Sequence, residues 1–179
     1  MILCGQPANV AAMNTHIHFD IGSSTLGQVL VALSDKGICA ILPGNSARAV
    51  LRELRERFPS ARLEQNAARL ARVLPSVIAF VDGRAARLEL PLDPTGTEFQ
   101  QRVWRALRGV PSGETVSYAE IARRIEAPKS FRAVAQACGA NPLALAIPCH
   151  RVVRHDGALS GYRWGIARKR ALLEREAAR

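Results

Sequence analysis

Short apolar runs near the start of the chain predict a small antiparallel sheet. Residues 16–20, 29–33 and 38–42 are alternating or continuously apolar, and a polar turn at residues 34–37 separates the last two runs. A period of two is typical of strands with one buried face, and a short turn favours antiparallel neighbours. His16 and His18 share one face of the first strand, where a solvated edge is the expected role unless a third ligand completes a metal site.

Helical spacing follows the predicted strands. From Ser46 to Phe58 the apolar residues recur every three or four positions, which predicts an amphipathic helix. A second helix is predicted over Ala67–Phe80, with Pro75 interrupting or ending part of it, because proline has no backbone N–H to donate. We find no candidate chemistry in this part of the sequence and interpret it as a scaffold.

A crossing rich in proline and glycine, residues 90–96, separates this scaffold from the rest of the chain. Such residues mark loops, so we place a boundary there, which gives domains of residues 1–93 and 94–179. Thr97 can cap the helix that follows. The apolar stripe of that helix is expected to face the core and consists of Phe99, Val103, Trp104 and Leu107.

Residues 117–125 and 130–140 predict two short helices joined by a turn at residues 127–129, which is a helix-turn-helix pattern. Packing alone explains many such hairpins. The second helix, however, is rich in alanine and glycine, so few of its side chains could read base edges in a major groove. We expect it to approach DNA closely and with little preference for sequence.

The charge is unevenly distributed along the chain. The formal net charge is +10, and residues 94–179 contribute +8 of it, with 15 basic and 7 acidic side chains. A compact basic half is typical of nucleic-acid binding, although solubility or attraction to anionic membranes gives the same count. The length of 179 residues allows a buried core in one or two small domains and argues against a disordered tail.

The segment from Asn141 to Val153 holds the strongest candidate for chemistry. Cys149 stands between Pro148 and His150 at the end of an apolar run. Proline fixes its own φ and favours extended backbone in the residue before it, so the thiol is presented from a stiff segment. A neighbouring histidine, directly or through water, is the usual group that takes a thiol proton. A small core cysteine is the alternative interpretation, and the flanking residues argue against it.

The run Ile-Pro-Cys-His-Arg-Val-Val at residues 147–153 resembles the active-site signature of the O6-alkylguanine-DNA alkyltransferases. Order and spacing agree over residues 88–176, and the methyltransferase part of Ada-type proteins is the most similar. Further matches lie at residues 111–118, 132–134 and 172–176. The resemblance implies a ribonuclease-H-like α/β amino-terminal domain. It also implies a mostly α carboxy-terminal domain with a helix-turn-helix of the winged-helix-like kind.

The activity that the resemblance implies is direct reversal of DNA damage. Cys149 would take the methyl group from O6-methylguanine, and from O4-methylthymine, after the lesion is rotated out of the duplex. The thioether would end the reaction after one turnover. His150 would act through water as a base, Glu176 would orient it, and Asn141 would brace the active-site turn. Without the resemblance, Glu176 would be interpreted as a solvated surface carboxylate.

Contacts to DNA are also implied. The expected partner is double-stranded DNA that contains O6-alkylguanine, bound through its minor groove by a monomer. Arg132 would fill the gap in the base stack, against the alternative of a phosphate contact, and Tyr118 would assist extrusion and donate to N3 of the base. The residues implied in DNA or base binding are Arg132, Tyr118, Val152, Arg163, Trp164, Lys169, Ser130, Ala133 and Ala135.

Two aromatic residues depart from the pattern of the family. Trp164, in the expected pocket loop at residues 160–165, replaces a small residue of alkyltransferases that accept large groups. We therefore expect it to narrow the pocket and favour methyl over benzyl adducts. Phe131 stands beside the expected intercalating arginine, where a small residue is usual, and either wedges into the groove or packs inward.

The remaining sequence features argue against metal, cofactor and membrane. Cysteines at 4, 39, 138 and 149 show no zinc spacing, and Ser34 and Cys39 stand where some alkyltransferases carry two zinc ligands. We therefore expect no metal and no cofactor. The sequence opens without a signal peptide and has no apolar run of membrane-spanning length, which predicts a cytoplasmic protein with reduced thiols.

Three alternatives remain open at this point. A binding-only alkyltransferase-like protein flags lesions for excision but lacks the cysteine, so Cys149 argues against it. A transcriptional regulator of the Ada type carries additional domains that this sequence does not contain. A cysteine hydrolase needs donors for an oxyanion, and no motif for them is evident.

Overall fold

A four-stranded sheet forms the first part of the computed structural model, which describes residues 15–159 and 161–178. The strands are β1 His16–Ser24, β2 Gly27–Leu33, β3 Ile38–Gly44 and β4 Arg62–Gln65. Their order is β3-β2-β1-β4, and β1 pairs with β2, and β2 with β3, in the antiparallel sense. The three predicted strands are confirmed. The sequence pattern did not predict β4, which lies parallel to β1 at the edge of the sheet.

Helix α1, Ala47–Arg57, covers one face of the sheet, as the apolar spacing predicted. Ser46 accepts a hydrogen bond from the backbone N–H of Ala49, which satisfies a donor that has no partner inside the helix. Val50 and Leu54 are buried, and Val50 packs against Gly44 at the end of β3. The helix therefore begins directly on the sheet that it covers.

The second predicted helix is in fact two, α2 Ala67–Leu70 and α3 Val73–Val81. The expectation that Pro75 makes the break was wrong, because the break falls before it, at residues 71–72. Pro75 lies in the first turn of α3, where backbone N–H groups have no helical partner and proline is tolerated. Ile78 of α3 packs on Gly22 of β1, on the face opposite to α1.

The second part of the described chain is mostly helical. Helix α4, Glu98–Arg108, begins at a capping box in which the side chains of Thr97 and Gln100 each accept the backbone N–H of the other. Three of the four residues of its predicted apolar stripe are buried, namely Val103, Trp104 and Leu107. The indole of Trp104 donates to the carbonyl of Ala137 at 2.9 Å, so the stripe packs on the helix that contains Ala137.

The predicted helix-turn-helix is present as α5, Tyr118–Arg124, and α6, Phe131–Ala140. Ser117 caps α5 through the backbone N–H of Glu120. Two-residue strands, β5 Val116–Ser117 and β6 Val152–Val153, pair in parallel and bring the start of α5 beside the active-site segment. Helix α7, Ile166–Ala177, completes the chain. Among the helices of the described ranges, none combines the length and the apolar character that crossing a bilayer requires.

The two parts meet at the edge of β3. The backbone N–H of Ile41 donates to the carbonyl of Pro142 at 2.9 Å, and the carbonyl of Ile41 accepts from Ala144 at 3.1 Å. Arg57, at the end of α1, donates to the carbonyl of Ala140 at 2.8 Å. The segment that precedes Cys149 is therefore held against the sheet by an isolated parallel bridge between Ile41 and Leu143.

Candidate active site

Asn141 fixes the turn that carries the cysteine. It follows α6, and its side chain is fully buried. Its side-chain carbonyl accepts the backbone N–H of Leu143 at 2.9 Å, and its amide donates to the carbonyl of Ile147 at 2.8 Å. The same amide nitrogen lies 3.2 Å from Sγ of Cys149. Because the amide has two donors and one acceptor, it joins both limbs of the turn and also reaches the sulfur, which suits a bracing role.

Cys149 is buried, with 5% of its surface exposed, and opens a 3₁₀ helix, Cys149–Arg151. Burial raises the pKa of the Cys149 thiol to about 11, although the hydrogen bond from Asn141 and the charge of Lys169 act to lower it. The thiol is therefore protonated at neutral pH. Nucleophilic attack by this sulfur requires a group that takes the proton.

Glu176 joins His150 and Arg151 in a partly buried polar chain. Nε2 of His150 lies 2.9 Å from Oε1 of Glu176. Arg151 donates from Nε to Oε2 at 2.9 Å and from Nη2 to Oε1 at 2.8 Å, which is a bidentate pair. Burial raises the pKa of Glu176, but the hydrogen bonds from His150 and Arg151 outweigh it and set the pKa at about 2. The carboxylate is ionised and orients both neighbours. The sequence analysis gave Arg151 no role, although it stands next to His150.

His150 is placed to act as a base. Burial lowers the pKa of His150, against the raising effect of Glu176, so the imidazole is neutral at neutral pH. The carboxylate contact assigns the ring hydrogen to Nε2, which leaves Nδ1 as the basic nitrogen. Nδ1 is buried and has no hydrogen-bond partner in the described part of the protein. This nitrogen can accept a hydrogen bond or a proton.

Lys169 brings a positive charge into the same core. It is fully buried, and its ammonium group donates to the carbonyl of Val152. Burial lowers the pKa of Lys169, and the cysteines at 138 and 149 act in the opposite direction. A cation at this position favours the thiolate form of Cys149. The backbone N–H of Val152 donates to the carbonyl of Cys149, and the carbonyl of Val152 accepts from Lys169. A nucleobase could therefore bind only to the remaining lone pair of the Val152 carbonyl.

A cavity of about 300 Å³ lies beside the sulfur. Its lining includes Tyr118, Ala135, Cys138, Cys149, Tyr162 and Arg163. The fold thus brings together residues of α5, α6, the active-site turn and the loop before α7. The hydroxyl of Tyr162 is buried and has no hydrogen-bond partner among the residues described, yet no local sequence signal distinguished this tyrosine. Ser160 of the expected pocket loop lies outside the described residues.

Glu53 of α1 holds the pocket loop from the first part of the chain. Its Oε1 accepts from Nε of Arg163 at 2.7 Å and from Nη2 of Arg57 at 3.0 Å. Its Oε2 accepts the indole N–H of Trp164 at 3.2 Å. One carboxylate therefore links α1 to the loop that lines the cavity. Sequence analysis missed Glu53 because it lies 110 positions from Arg163 and belongs to no local motif.

Trp164 belongs to the expected pocket loop but is not among the residues that line the cavity beside Cys149. Its ring contacts that of Tyr162 edge-on, with 5.2 Å between the ring centroids. Trp164 lines a groove against α1, whereas Tyr162 lines the cavity that contains Cys149. Trp164 can therefore narrow the pocket only indirectly, for example through Tyr162, and the expected narrowing stays a prediction.

Arg132 and Phe131 project from the first turn of α6. Phe131 is 47% exposed, so its ring does not pack inward, and the guanidinium of Arg132 lies 5.8 Å from the ring centre. Ser130 precedes this turn, and its side chain does not cap the helix. Beyond the turn the helix offers small residues at partly or fully exposed positions, namely Ala133, Ala135 and Gly139. Ala135 and Gly139 lie four positions apart on one side of the helix, where another molecule can come close to the backbone, whereas Ala133 lies on another side.

These features define a class of protein: an α/β part braces a basic helical part in which a buried thiol, a neutral imidazole and a carboxylate lie beside a helix-turn-helix. The chain belongs to the methylated-DNA--protein-cysteine methyltransferase family. The family profile described as "6-O-methylguanine DNA methyltransferase, DNA binding domain" matches residues 98–178.

Relatives and solved structures support this membership. The chain is 35% identical to the inducible methylated-DNA--protein-cysteine methyltransferase of Bacillus subtilis, over 89% of this chain and 84% of that protein. It is 51% identical to the bifunctional transcriptional activator/DNA repair enzyme Ada of Escherichia coli, over 92% of this chain and 46% of Ada. The chain thus spans about half the length of the Ada proteins it matches. The crystal structure of Mycobacterium tuberculosis O6-methylguanine methyltransferase superposes with a TM-score of 0.73 at 36% identity, covering 91% of this chain and 94% of that one.

Proposed function

We propose that the protein repairs DNA by direct reversal, in a single turnover that moves the methyl group of O6-methylguanine onto Cys149. O4-methylthymine is the second expected substrate, because it carries the same O-methyl group on a base. The observation that carries the proposal is a thiol fixed by Asn141 beside an imidazole whose far nitrogen is held by Glu176. Family membership and the DNA-bound structure of the Mycobacterium tuberculosis relative support it.

The proposed reaction is an in-line displacement at the methyl carbon. A bond forms between Sγ and this carbon while the carbon–O6 bond breaks, and the guanine keeps the electron pair. The thiol proton passes through water to Nδ1 of His150 and is then returned to the guanine, while Glu176 balances the transient imidazolium charge. The thioether product has no good leaving group. Each protein molecule therefore transfers one methyl group only, and the reaction needs no cofactor.

We propose that double-stranded DNA is bound through its minor groove along α6. The small and exposed residues of this helix suit close contact with a backbone, and Ser130, Ala133 and Ala135 would provide it. The methyl carbon is unreachable inside the duplex, so the base has to leave the stack. Arg132, exposed at the start of α6, would occupy the gap. Tyr118, in the wall of the cavity, would assist extrusion and donate to N3 of the base.

We also propose a division of the chain into two domains and a fold for each of them. We divide the chain into residues 1–93 and 94–179, since the sheet lies before this boundary and helices α4 to α7 lie after it. We assign a ribonuclease-H-like fold to the first domain and a winged-helix-like fold to the second. A monomer is expected, and the need for a reduced Cys149 favours the cytoplasm.

The intact mass of the protein after exposure to a duplex with O6-methylguanine tests the proposal. We expect one added methyl group per molecule, located on the peptide of Cys149, and loss of the lesion from the DNA. Cys149→Ala should bind the duplex and leave the lesion intact, while Cys39→Ala, a change at another buried cysteine, should accept the methyl group as the wild type does. An unchanged mass with an unchanged lesion would overturn the proposal. Ester hydrolysis beyond one equivalent would support a hydrolase in its place.

A further inference from the structure

Three candidate metal ligands converge on the sheet, away from the active site. His16 and His18 lie on the same face of β1, and Glu64 stands opposite His18 on β4. Nε2 of His16 lies 2.9 Å from Oε2 of Glu64, and Nδ1 of His18 lies 3.9 Å from Oε1. One donor atom from each residue falls within 4.8 Å of the other two. The third ligand that the sequence pattern lacked is thus supplied by the strand that the pattern did not predict.

An ion pair between His16 and Glu64 explains only part of this arrangement. His18 is 8% exposed, and its Nδ1 is buried with no hydrogen-bond partner in the described part of the chain. A buried nitrogen without a hydrogen-bond partner destabilises the folded state. The two imidazole rings are tilted by 44° to each other with centroids 4.2 Å apart, and Nδ1 of His18 lies 3.9 Å from the carboxylate that His16 already contacts. The two imidazole rings and the carboxylate of Glu64 therefore surround one common position.

We propose that His16, His18 and Glu64 bind one zinc ion. Two neutral imidazoles and a carboxylate are a donor set that zinc accepts at about 2.0–2.2 Å, with water in the fourth position. One donor atom of each residue already lies within 4.8 Å of the other two. The side-chain amide of Asn66 donates to Oε1 of Glu64 at 3.3 Å and orients the carboxylate. The side chains of His16 and Glu64 are 35% and 41% exposed, which gives the ion a path from solvent.

The ion ties the edge strand to the middle of the sheet. β4 has four residues and pairs with β1 alone, so it has the fewest backbone hydrogen bonds in this sheet. A ligand that binds only the folded state stabilises that state by mass action. The site is built from first-domain residues and contributes none of the groups assigned to methyl transfer. Zinc should therefore raise the melting temperature and leave transfer to Cys149 unchanged.

Metal titration of the full chain, purified without a histidine tag and freed of metal, tests the proposal. Zinc sulfate should bind with one equivalent and raise the melting temperature. His16→Gln and Glu64→Gln change partly exposed residues and should fold, and each should weaken zinc binding by more than about tenfold. His155→Gln, at an exposed histidine of the second domain, is the matched control and should bind zinc as the wild type does.

Cobalt separates this site from the active-site cysteine. Bound Co²⁺ should give visible d–d bands without the near-ultraviolet charge-transfer band of a thiolate ligand, and the spectrum should persist after Cys149 is methylated. A tag-free protein that binds no zinc overturns the proposal and leaves an ion pair alone. Equal affinity in Glu64→Gln, or a thiolate band that methylation abolishes, overturns it as well. The zinc titrations of the wild type and of the variants do not depend on whether methyl transfer occurs.

Discussion

Glu53 and Arg163 are joined by a 2.7 Å contact between carboxylate and guanidinium, although 110 positions separate them in the sequence. Glu53 belongs to the α/β part, and Arg163 belongs to the loop that lines the cavity at Cys149. The same carboxylate also accepts from Arg57 and from Trp164. The wall of the cavity is therefore positioned in part by the domain that sequence analysis interpreted only as a scaffold.

Replacing Glu53 should loosen the pocket without removing the nucleophile. Glu53→Gln removes the counter-charge of Arg57 and Arg163, and hydrogen bonds to charged groups contribute about 1.5–3 kcal/mol. We expect the second-order rate of methyl transfer to fall about tenfold or more, with one methyl still accepted per molecule. Glu56→Gln, on the exposed side of the same helix, is the control and should keep the wild-type rate. Equal rates for Glu53→Gln and the control would count against this role.

The pairing of Glu176 should make stability depend on pH in a defined window. The pKa of Glu176 is lowered from 4.5 to about 2 in the folded protein. Its contribution is therefore complete above about pH 4.5 and is lost as the pH falls towards 2. At neutral pH, Glu176→Gln should lower the free energy of unfolding by about 3 kcal/mol, measured by urea denaturation. The difference from the wild type should shrink across this window, and Glu174→Gln, at an exposed position of α7, should show no such trend.

The resting thiol should react slowly with small electrophiles at neutral pH. Burial raises the pKa of Cys149 to about 11, so the thiolate fraction grows about tenfold for each pH unit below that value. We expect iodoacetamide labelling of the Cys149 peptide to rise in this way between about pH 8 and pH 10. Peptide mass spectrometry of the folded protein measures it, with the buried Cys39 as an internal reference whose pKa is raised to about 12. Labelling that is fast and independent of pH would show that the thiol is already ionised.

Trp164 should restrict the size of the transferred group through its contact with Tyr162. Trp164→Gly removes the ring that packs edge-on against Tyr162, and the freed tyrosine should admit a larger adduct. We expect a higher second-order rate with free O6-benzylguanine than in the wild type. Trp164→Phe keeps an aromatic ring but loses the hydrogen bond to Glu53, so it should retain the restriction. Equal benzyl transfer rates in the wild type and Trp164→Gly would refute the effect.

Arg132 should matter only when the substrate is a duplex. If it fills the gap left by an extruded base, Arg132→Ala should slow transfer from duplex DNA by about tenfold to a hundredfold, since unstacking costs a few kcal/mol. Transfer from free O6-benzylguanine should be unaffected. Arg124→Ala removes another exposed arginine of the helix-turn-helix and serves as the control for general phosphate attraction. A similar loss in both variants would favour a phosphate contact for Arg132.

Local patterns predicted much of the fold. The spacing of apolar residues located three strands and the principal helices, because burial of one face depends on positions close together in sequence. β4 was missed because its four residues pair only with the distant β1, and their pattern is not apolar. The break before α3 was misplaced because Pro75 is tolerated in a first helical turn.

The residues of the candidate site that belong to a local sequence motif were predicted. Asn141, Cys149 and His150 lie within one short signature, and Glu176 was added by resemblance. Glu53 and Arg151 were given no role, and Tyr162 was placed only within the expected pocket loop at residues 160–165. Glu53 acts across more than a hundred positions, and the buried hydroxyl of Tyr162 depends on packing around the cavity, which spacing alone does not encode.

The position of the Cys149 sulfur depends on the outer edge of β3, which is distant from Cys149 in the sequence. Ile41 is hydrogen-bonded to Pro142 and Ala144, so local unfolding of β3 must also release the turn that carries Cys149. A molecule nicked or heat-damaged only in its first domain would retain every residue of the reactive signature. We expect it to lose the proposed methyl transfer, since the turn that carries the nucleophile would no longer be held in place.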